Sequence, residues 1–167
     1  MKARVAASVI LALAITVGTA GCNLLSPVAT MEHYDASDGV SGSVGSVDVR
    51  NAIIVTDGVG GKAGNLVVTL VNNDSQSHTV LITAGAKSGT PVEVTIEPGV
   101  TQLGNEPDSA SSHNVFLTPF DSLPGSLYPV YFQYGDKTGV QLQVPVLDGG
   151  LPEYEDLVPP TVLAPQD

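Results

Sequence analysis

The chain between residues 44 and 147 consists of short apolar runs separated by clusters of turn-forming residues. In the last run, Val140–Val146, apolar residues alternate with glutamines, and Val92–Ile96 alternates in the same way with Glu and Thr. Because successive side chains of a strand point to opposite faces, this period of two predicts strands with one buried face. The pattern predicts about eight strands, near residues 47–56, 66–71, 79–83, 92–96, 100–103, 115–118, 130–134 and 140–146.

The intervening segments are typical of turns. Asp57–Gly61 separates the first two runs, Asn72–Ser75 separates the next two, and Pro98-Gly99 follows the fourth. Gly, Pro, Asn and Asp favour turn conformations, and the abundant Val, Ile and Thr favour strands. The combination predicts an all-β domain at residues 44–147, built as a Greek-key, immunoglobulin-like β-sandwich. The unbroken apolar run Ile53–Val55 predicts a strand that is covered on both faces.

The chain begins with two cations, Lys2 and Arg4, followed by an apolar stretch from Val5 to Val17. These 13 residues are too few to span a ~30 Å hydrocarbon core, which needs about 20. Their number is typical of the hydrophobic region of a signal peptide.

The segment Thr19-Ala20-Gly21-Cys22 resembles the lipobox of bacterial lipoproteins, although Thr19 stands where Leu is preferred. The resemblance implies cleavage before Cys22 and attachment of diacylglycerol, with palmitate among its acyl chains, to that cysteine. The chain has no other cysteine, so we expect residues 1–21 to be a lipoprotein signal peptide. The expected location is the extracytoplasmic face of the cell membrane. An ordinary secretory signal with an incidental cysteine is the alternative.

Two segments flank the predicted domain. Residues 22–43 contain Ser, Asp and Gly with little periodicity, and we expect a flexible tether. Residues 148–167 are acidic and rich in proline, which disfavours helices and central strands. We expect a disordered or extended tail there, and a recruitment motif around Tyr154 is the alternative.

Composition excludes several function classes. The chain has 17 acidic and six basic residues, for a formal charge of −11. Loss of the signal peptide removes two cations, which leaves 4 − 17 = −13. Nucleic-acid binding depends on Lys and Arg, so we expect no nucleic-acid partner. One cysteine excludes an internal disulfide and a thiolate-clustered metal site.

The sequence contains no motif that predicts catalysis. It has no G-x-S-x-G, and Gly60-Gly61-Lys62-Ala63 lacks the hydroxyl residue of a phosphate-binding loop. We therefore expect no enzymatic activity and no catalytic residues.

The candidate metal ligands are Met31, His33, His78 and His113. Met31 and His33 lie in the predicted tether, His78 opens the third predicted strand, and His113 lies in a serine-rich loop. Nothing in the spacing requires these side chains to converge. Isolated surface positions and a shared metal site both remain open at this point.

Three segments of the core, in order, resemble the periplasmic copper-chaperone-like family of PCu(A)C type and its actinobacterial lipoprotein relatives. They are Val47–Ala52, Leu66–Asn73 and Leu123–Val146. The resemblance implies a cupredoxin-like β-sandwich over residues 44–147. In the family, copper(I) is held by His and Met, including an H-x-M pair soon after a Pro-Gly turn. After Pro98-Gly99 this chain has Gln102-Leu103-Gly104, so the resemblance implies the fold without these ligands.

We therefore expect a non-catalytic lipoprotein that binds or scaffolds an envelope protein and contacts the membrane through its lipid. No cofactor is expected in this interpretation. The alternative is a copper-handling protein with a non-standard site made by Met31, His33 and either His78 or His113.

Overall fold

The computed structural model describes residues 2–20, 35–57, 62–85, 91–107 and 113–160. The chain divides into two compact units, residues 1–34 and residues 35–167. In the first unit, helix α1 runs from Lys2 to Ala20. Among the helices within the described ranges, none has the length and hydropathy needed to cross a membrane.

The second unit is built from strands. Its described residues form nine strands, and eight of them match the runs predicted from the sequence. The bounds are β1 Val40–Val44, β2 Val47–Thr56, β3 Gly64–Asn72, β4 His78–Ala84, β5 Val92–Ile96, β6 Gly99–Leu103, β7 Phe116–Leu117, β8 Leu127–Tyr134 and β9 Val140–Asp148.

The strands form one almost closed sheet, in the order β5-β4-β8-β9-β2-β3-β6. β9 joins the two layers, because its body pairs antiparallel with β8 while its last residues pair parallel with β2. β1 adds to β2, and β7 adds to β3. The prediction of an all-β sandwich is confirmed.

The core lies between the inner faces of the two layers. The predicted alternation is confirmed in β9, where Val144 and Val146 are fully buried, and in β5, where Val94 and Ile96 are buried. Phe132 of β8 is the largest side chain with no exposure. Apolar burial of this kind stabilises a domain by roughly 25 cal/mol per Å² of surface removed from water.

β1 lies mostly inside residues 22–43, which the sequence predicts as a tether. The β-domain therefore begins at Val40 or before it, and not at residue 44. The sequence of β1, Val-Ser-Gly-Ser-Val, has only two apolar side chains of any size, and it gives a weak strand signal. The strand is held by backbone pairing with β2 through the turn at Gly45 and by burial of Val44 in the core. Asn51, at a bulge in β2, holds the segment that leads into β1. Its Oδ1 accepts hydrogen bonds from Ser37 Oγ (2.7 Å) and from the Gly39 amide (3.0 Å). Asn51 has φ +49°, a left-handed conformation that Asn tolerates better than most residues.

A second apolar cluster covers the outer face of the sheet. Ile53 and Val55 of β2 and Val67 of β3 pack there against Leu147 and the C-terminal segment. The covering side chains of that segment are Tyr154, Leu157 and Val158. The prediction that Ile53–Val55 is covered on both faces is confirmed.

Residues 148–160 therefore differ from the extended tail that the sequence predicts. A short helix, α2, spans Pro152–Glu155, with Pro152 in its first turn. Proline is tolerated there because the first amides of a helix have no intrahelical acceptor. Burial of the apolar cluster supplies the free energy that this proline-rich segment lacks by itself. Residues 161–167 lie outside the described ranges.

The C-terminal segment also contacts the beginning of the β-domain. The Tyr154 hydroxyl donates a hydrogen bond to Asp38 Oδ2. This bond, together with burial, raises the pKa of Tyr154 to about 12, because both favour the protonated hydroxyl that donates the bond. The contact joins two segments that lie 116 residues apart in the sequence.

We predict that the double substitution Tyr154→Ala and Leu157→Ala lowers the melting midpoint by more than about 5 °C, because about 1 kcal/mol corresponds to that shift in a domain of ~100 residues. The substitution uncovers the apolar side chains of β2 and β3. Thermal unfolding followed by circular dichroism measures the effect. The control is Glu153→Gln with Glu155→Gln, on exposed positions of the same helix, which leaves the midpoint nearly unchanged. Equal melting midpoints for the two double variants would contradict the packing of the C-terminal segment on β2 and β3.

Candidate functional site

A polar cavity of about 320 Å³ lies along β6, the strand at one end of the sheet order. We call it the β6 groove. Three of its lining residues belong to β6 itself, and the others follow β6 or precede β7. The lining residues are Val100, Thr101, Gln102, Gly104, Asn105, Glu106, His113 and Asn114.

Two backbone hydrogen bonds and one side chain hold the base of the groove. The Gly104 amide donates to the His113 carbonyl (2.9 Å), and the Leu66 amide donates to the Val115 carbonyl (3.0 Å). The Asn65 Nδ2 amide donates to the Gly104 carbonyl (2.8 Å) and to the Leu157 carbonyl (2.9 Å). The fully buried Asn65 side chain therefore ties β3, the end of β6 and the C-terminal segment together. Its Oδ1 atom has no hydrogen-bond partner within the described ranges.

Gly104 has φ +77° and leaves no room for a side chain. A Cβ atom at this position would lie 2.4 Å from the Leu66 carbonyl oxygen and 2.9 Å from Asn65 Oδ1. Only glycine combines this backbone conformation with such a close approach. Gly104 is thus required by the geometry at the base of the groove.

The walls of the groove carry amide groups. Asn105 Nδ2 donates to Gln102 Oε1 (3.0 Å), and Asn114 Nδ2 donates to the Glu106 carbonyl (3.0 Å). Each amide side chain has two donor hydrogens and an acceptor oxygen, so the bonds above leave hydrogen-bonding capacity in Gln102 and Asn105. The arrangement suits a ligand with its own donors and acceptors, such as a polypeptide backbone.

The structure separates the two histidines that it describes. His78 pairs with Ile96, just before the turn into β6, whereas the His113 carbonyl bonds to Gly104, just after β6. The five residues of β6 lie between these two positions and span ~14 Å from end to end, at about 3.4 Å per residue. Of the two, only His113 lines the groove.

His78 has a structural environment. Its Nε2 lies 3.0 Å from Asp74 Oδ2, and its ring lies 4.6 Å from that of Tyr134, centroid to centroid. The backbone amide of Ser75 and then the His78 imidazole lower the pKa of Asp74. These contacts fix the turn between β3 and β4.

Most of the other predicted site residues lie outside what the structure describes. Gly21, Cys22, Met31 and His33 are outside the described ranges, and Thr19 and Ala20 are the last residues of α1. Lipidation of Cys22 and its signal-cleavage context remain predictions.

The donors of the groove do not fit copper(I). They are amide, hydroxyl and carboxylate groups with one imidazole, whereas copper(I) prefers thioether, thiolate and imidazole ligands. The chain's single cysteine and both methionines precede residue 35. Within the described ranges, no three His, Cys, Asp or Glu side chains form a group that could hold a metal ion.

A second cavity, of about 380 Å³, is more apolar. It lies between the β4–β5 hairpin and the segment that contains β7, and Tyr128 of β8 contributes to its wall. Burial and then the charge of Asp121 raise the pKa of Tyr128. The lining residues are Ile82, Ala84, Pro91, Val92, Phe116, Leu117, Thr118, Pro119 and Tyr128.

Comparison with known proteins shows a similarity of fold. No protein-family model matches the chain. No curated protein matches it either. Among solved structures, it is similar to a copper-bound PCuAC domain from PmoF2, at 12% identity and a TM-score of 0.47, over 65% of this chain and 98% of that one.

Two related structures match in the same way. The apo PCuAC domain from PmoF1 has 15% identity and a TM-score of 0.47, over 64% of this chain and 98% of that one. The apo PmoF2 PCuAC domain has 11% identity and a TM-score of 0.49, over 67% and 98%. These are domains of the type that the sequence of the core resembles, and at such identities the likeness concerns the fold alone.

Sequence reasoning did not find the groove. It named His113, Gln102 and Gly104 for other reasons, and it missed Asn65, Asn105 and Asn114. One signal was present in the sequence: Val100–Leu103 is a strand with no charged residue and no proline, which is unusual for an exposed sheet edge.

We predict that Gly104→Ala destabilises the domain more than Gly125→Ala does. Gly125 also has positive φ (+84°), but no heavy atom lies within 4 Å of a Cβ built there. Gly125→Ala therefore measures backbone strain alone, about 1–2 kcal/mol, and Gly104→Ala adds a steric clash. Urea denaturation measures both free energies of unfolding. Equal decreases in the free energy of unfolding for the two variants would contradict a steric clash at Gly104.

Proposed function

We propose that this chain is a non-catalytic, lipid-anchored extracytoplasmic protein that binds an extended segment of an envelope protein in the β6 groove. The observation that carries the proposal is the position of the groove beside a sheet edge. Within the described part of the chain, β6 pairs only with β3, so its other edge presents backbone groups without a strand partner. An extended segment adds to such an edge by main-chain hydrogen bonds.

Side chains on the groove supply selectivity in this proposal. Gln102 and Asn105 face an incoming segment with amide groups, and His113 lies exposed at the rim. Main-chain pairing provides affinity that is independent of the partner's sequence, while these side chains distinguish among partners. The groove is held by buried hydrogen bonds at Asn65 and Gly104, so it is formed before a ligand arrives.

The anchor and the charge define where binding takes place. A diacylglycerol on Cys22 holds the domain at the extracytoplasmic face of the cell membrane, since several acyl chains on one residue anchor firmly. The expected charge of −13 on the processed chain repels nucleic acids and other anionic polymers. The partner is therefore a neutral or cationic protein segment.

The second candidate is the copper-handling function, which is raised by the copper-bound domain among the similar structures. It would use His113 together with Met31 and His33, since His78 lies at the other end of β6. We expect copper(I) affinity no tighter than that of a generic His peptide, because the groove itself offers no sulfur ligand. Competition titration of the purified chain, with His113→Ala as the matched variant, measures this. Tight binding that is lost in His113→Ala would favour the copper function instead.

We predict that a photo-crosslinking residue at position 100 captures an envelope protein in intact cells. Val100 is 67% exposed and lines the groove, whereas Leu127 is similarly exposed (61%) and lies outside the groove. Adducts of discrete mass are expected from position 100 and not from position 127. Mass spectrometry of the adducts measures the outcome. Identical adducts from both positions, or none from position 100, would contradict the proposal.

The variant Cys22→Ala provides the control for the anchor. Without the lipid, the chain is expected to leave the membrane fraction or to remain an unprocessed precursor, and the position-100 adduct is expected to be lost. A cleaved, membrane-bound form of this variant would show that Cys22 is not the lipidation site.

A further inference from the structure

The two end strands of the sheet differ in how they are protected. β5 carries Glu93 on its exposed face, and Glu97 and Pro98 form the connection from β5 to β6. Charged residues and prolines at such places prevent pairing with other chains. β6 has neither between Val100 and Leu103, and Val100 is 67% exposed. An unprotected edge of this kind is normally covered by another segment.

The C-terminal segment of this chain runs toward that edge. It leaves β9, crosses the outer face of β2 and β3 in the apolar cluster, and reaches the end of β6. At that point the Leu157 and Gly104 carbonyls both lie within 2.9 Å of Asn65 Nδ2. Gly104 directly follows β6 and lines the groove. The path of the segment therefore ends beside the groove.

The remaining length of chain is sufficient to follow β6. Residues 161–167 continue beyond Pro160, and seven extended residues span roughly 23 Å, at about 3.3 Å each. The five residues of β6 need only ~14 Å between their ends, at about 3.4 Å each.

The composition of this terminal stretch suits an added strand. Thr161-Val162-Leu163-Ala164 is uncharged, and its β-branched and aliphatic side chains favour extended backbone. Pro160 and Pro165 bound these four residues, and proline limits a strand because it cannot donate to the ladder. The stretch thus matches the uncharged part of β6 in length.

We propose that Thr161–Asp167 docks in the β6 groove as an additional edge strand and acts as an intramolecular ligand. A tethered segment has an effective concentration in the millimolar range, so even a weak strand pairing fills the groove. The docked tail protects the open edge of the sheet. One part of this inference rests on the proposed function: an envelope protein that binds in the groove has to displace the tail.

Amide hydrogen exchange tests the docking. The chain purified from membranes in detergent is compared with a variant that ends at Pro160, which keeps the apolar cluster of the C-terminal segment. Exchange of the Val100–Leu103 amides is expected to be about tenfold faster in the shortened chain, since removal of a bonded strand exposes the edge. Exchange in β5 is the internal reference and stays the same in both chains.

A synthetic peptide of the sequence TVLAPQD tests the same pairing between separate molecules. Added to the shortened chain at about 5 mM, near the effective concentration of a short tether, it restores slow exchange in β6. A peptide with Val162→Pro and Leu163→Pro has lost two amide donors and gives no protection. Equal exchange of β6 in the full and shortened chains would overturn the inference. Protection that rises with protein concentration would overturn it in favour of pairing between two copies.

Failure of this inference is distinguishable from failure of the proposed function. If the tail docks, the shortened chain gives more position-100 adduct with the envelope partner than the full chain. If the tail does not dock, the adduct yield is the same in both chains and the proposed function stands. If neither chain gives an adduct while exchange depends on the tail, the proposed function fails and the docking stands.

Discussion

The two-sided burial of β2 is the constraint on which the other features of the β-domain depend. Ile54 lies in the core between the layers, while Ile53 and Val55 on the opposite face need a separate cover. A sheet face with three apolar side chains in water would cost several kcal/mol of stability. β9 pairs with β2 on one side, and the chain that follows β9 folds back over this face.

This folding back determines where the β6 groove lies. The returning segment brings the Leu157 carbonyl to Asn65, whose side-chain amide also holds the Gly104 carbonyl. A buried asparagine with two strong acceptors fixes the separation of the segments that it joins, because an unmade hydrogen bond at a buried site is costly. The cover of β2 and the base of the β6 groove are therefore parts of one structure, and Gly104 is constrained by both.

The chemistry of the β6 groove depends on a few side chains that the β-sandwich itself does not determine. The side chains that line it carry amide, hydroxyl and carboxylate groups and one imidazole. Ligands for a soft metal ion depend on a few side chains at strand ends and loops, whereas the fold depends on the alternation of buried residues.

Much of the strand architecture could be predicted from the sequence, because alternation with a period of two reports directly on one buried face. Val140–Val146 and Val92–Ile96 are examples, and the run Ile53–Val55 even indicated a second cover. β1 escaped prediction because it is short and has only two valines among serines and a glycine, so that pairing with β2 and burial of Val44 are needed to hold it. α2 escaped because the prolines of the C-terminal segment disfavour regular structure locally, and only burial against β2 and β3 compensates for them.

The sequence by itself determined the all-β class, the alternation of the core, the acidity of the chain and the absence of sulfur ligands after Met31. These properties depend on residue type and on local spacing. Only the tertiary structure decided that His78 and His113 lie apart, that Asn65 links three segments and that a groove follows the edge of β6. The physical reason is that such features come from contacts between residues distant in the chain, as with Asn65 and Leu157, 92 positions apart.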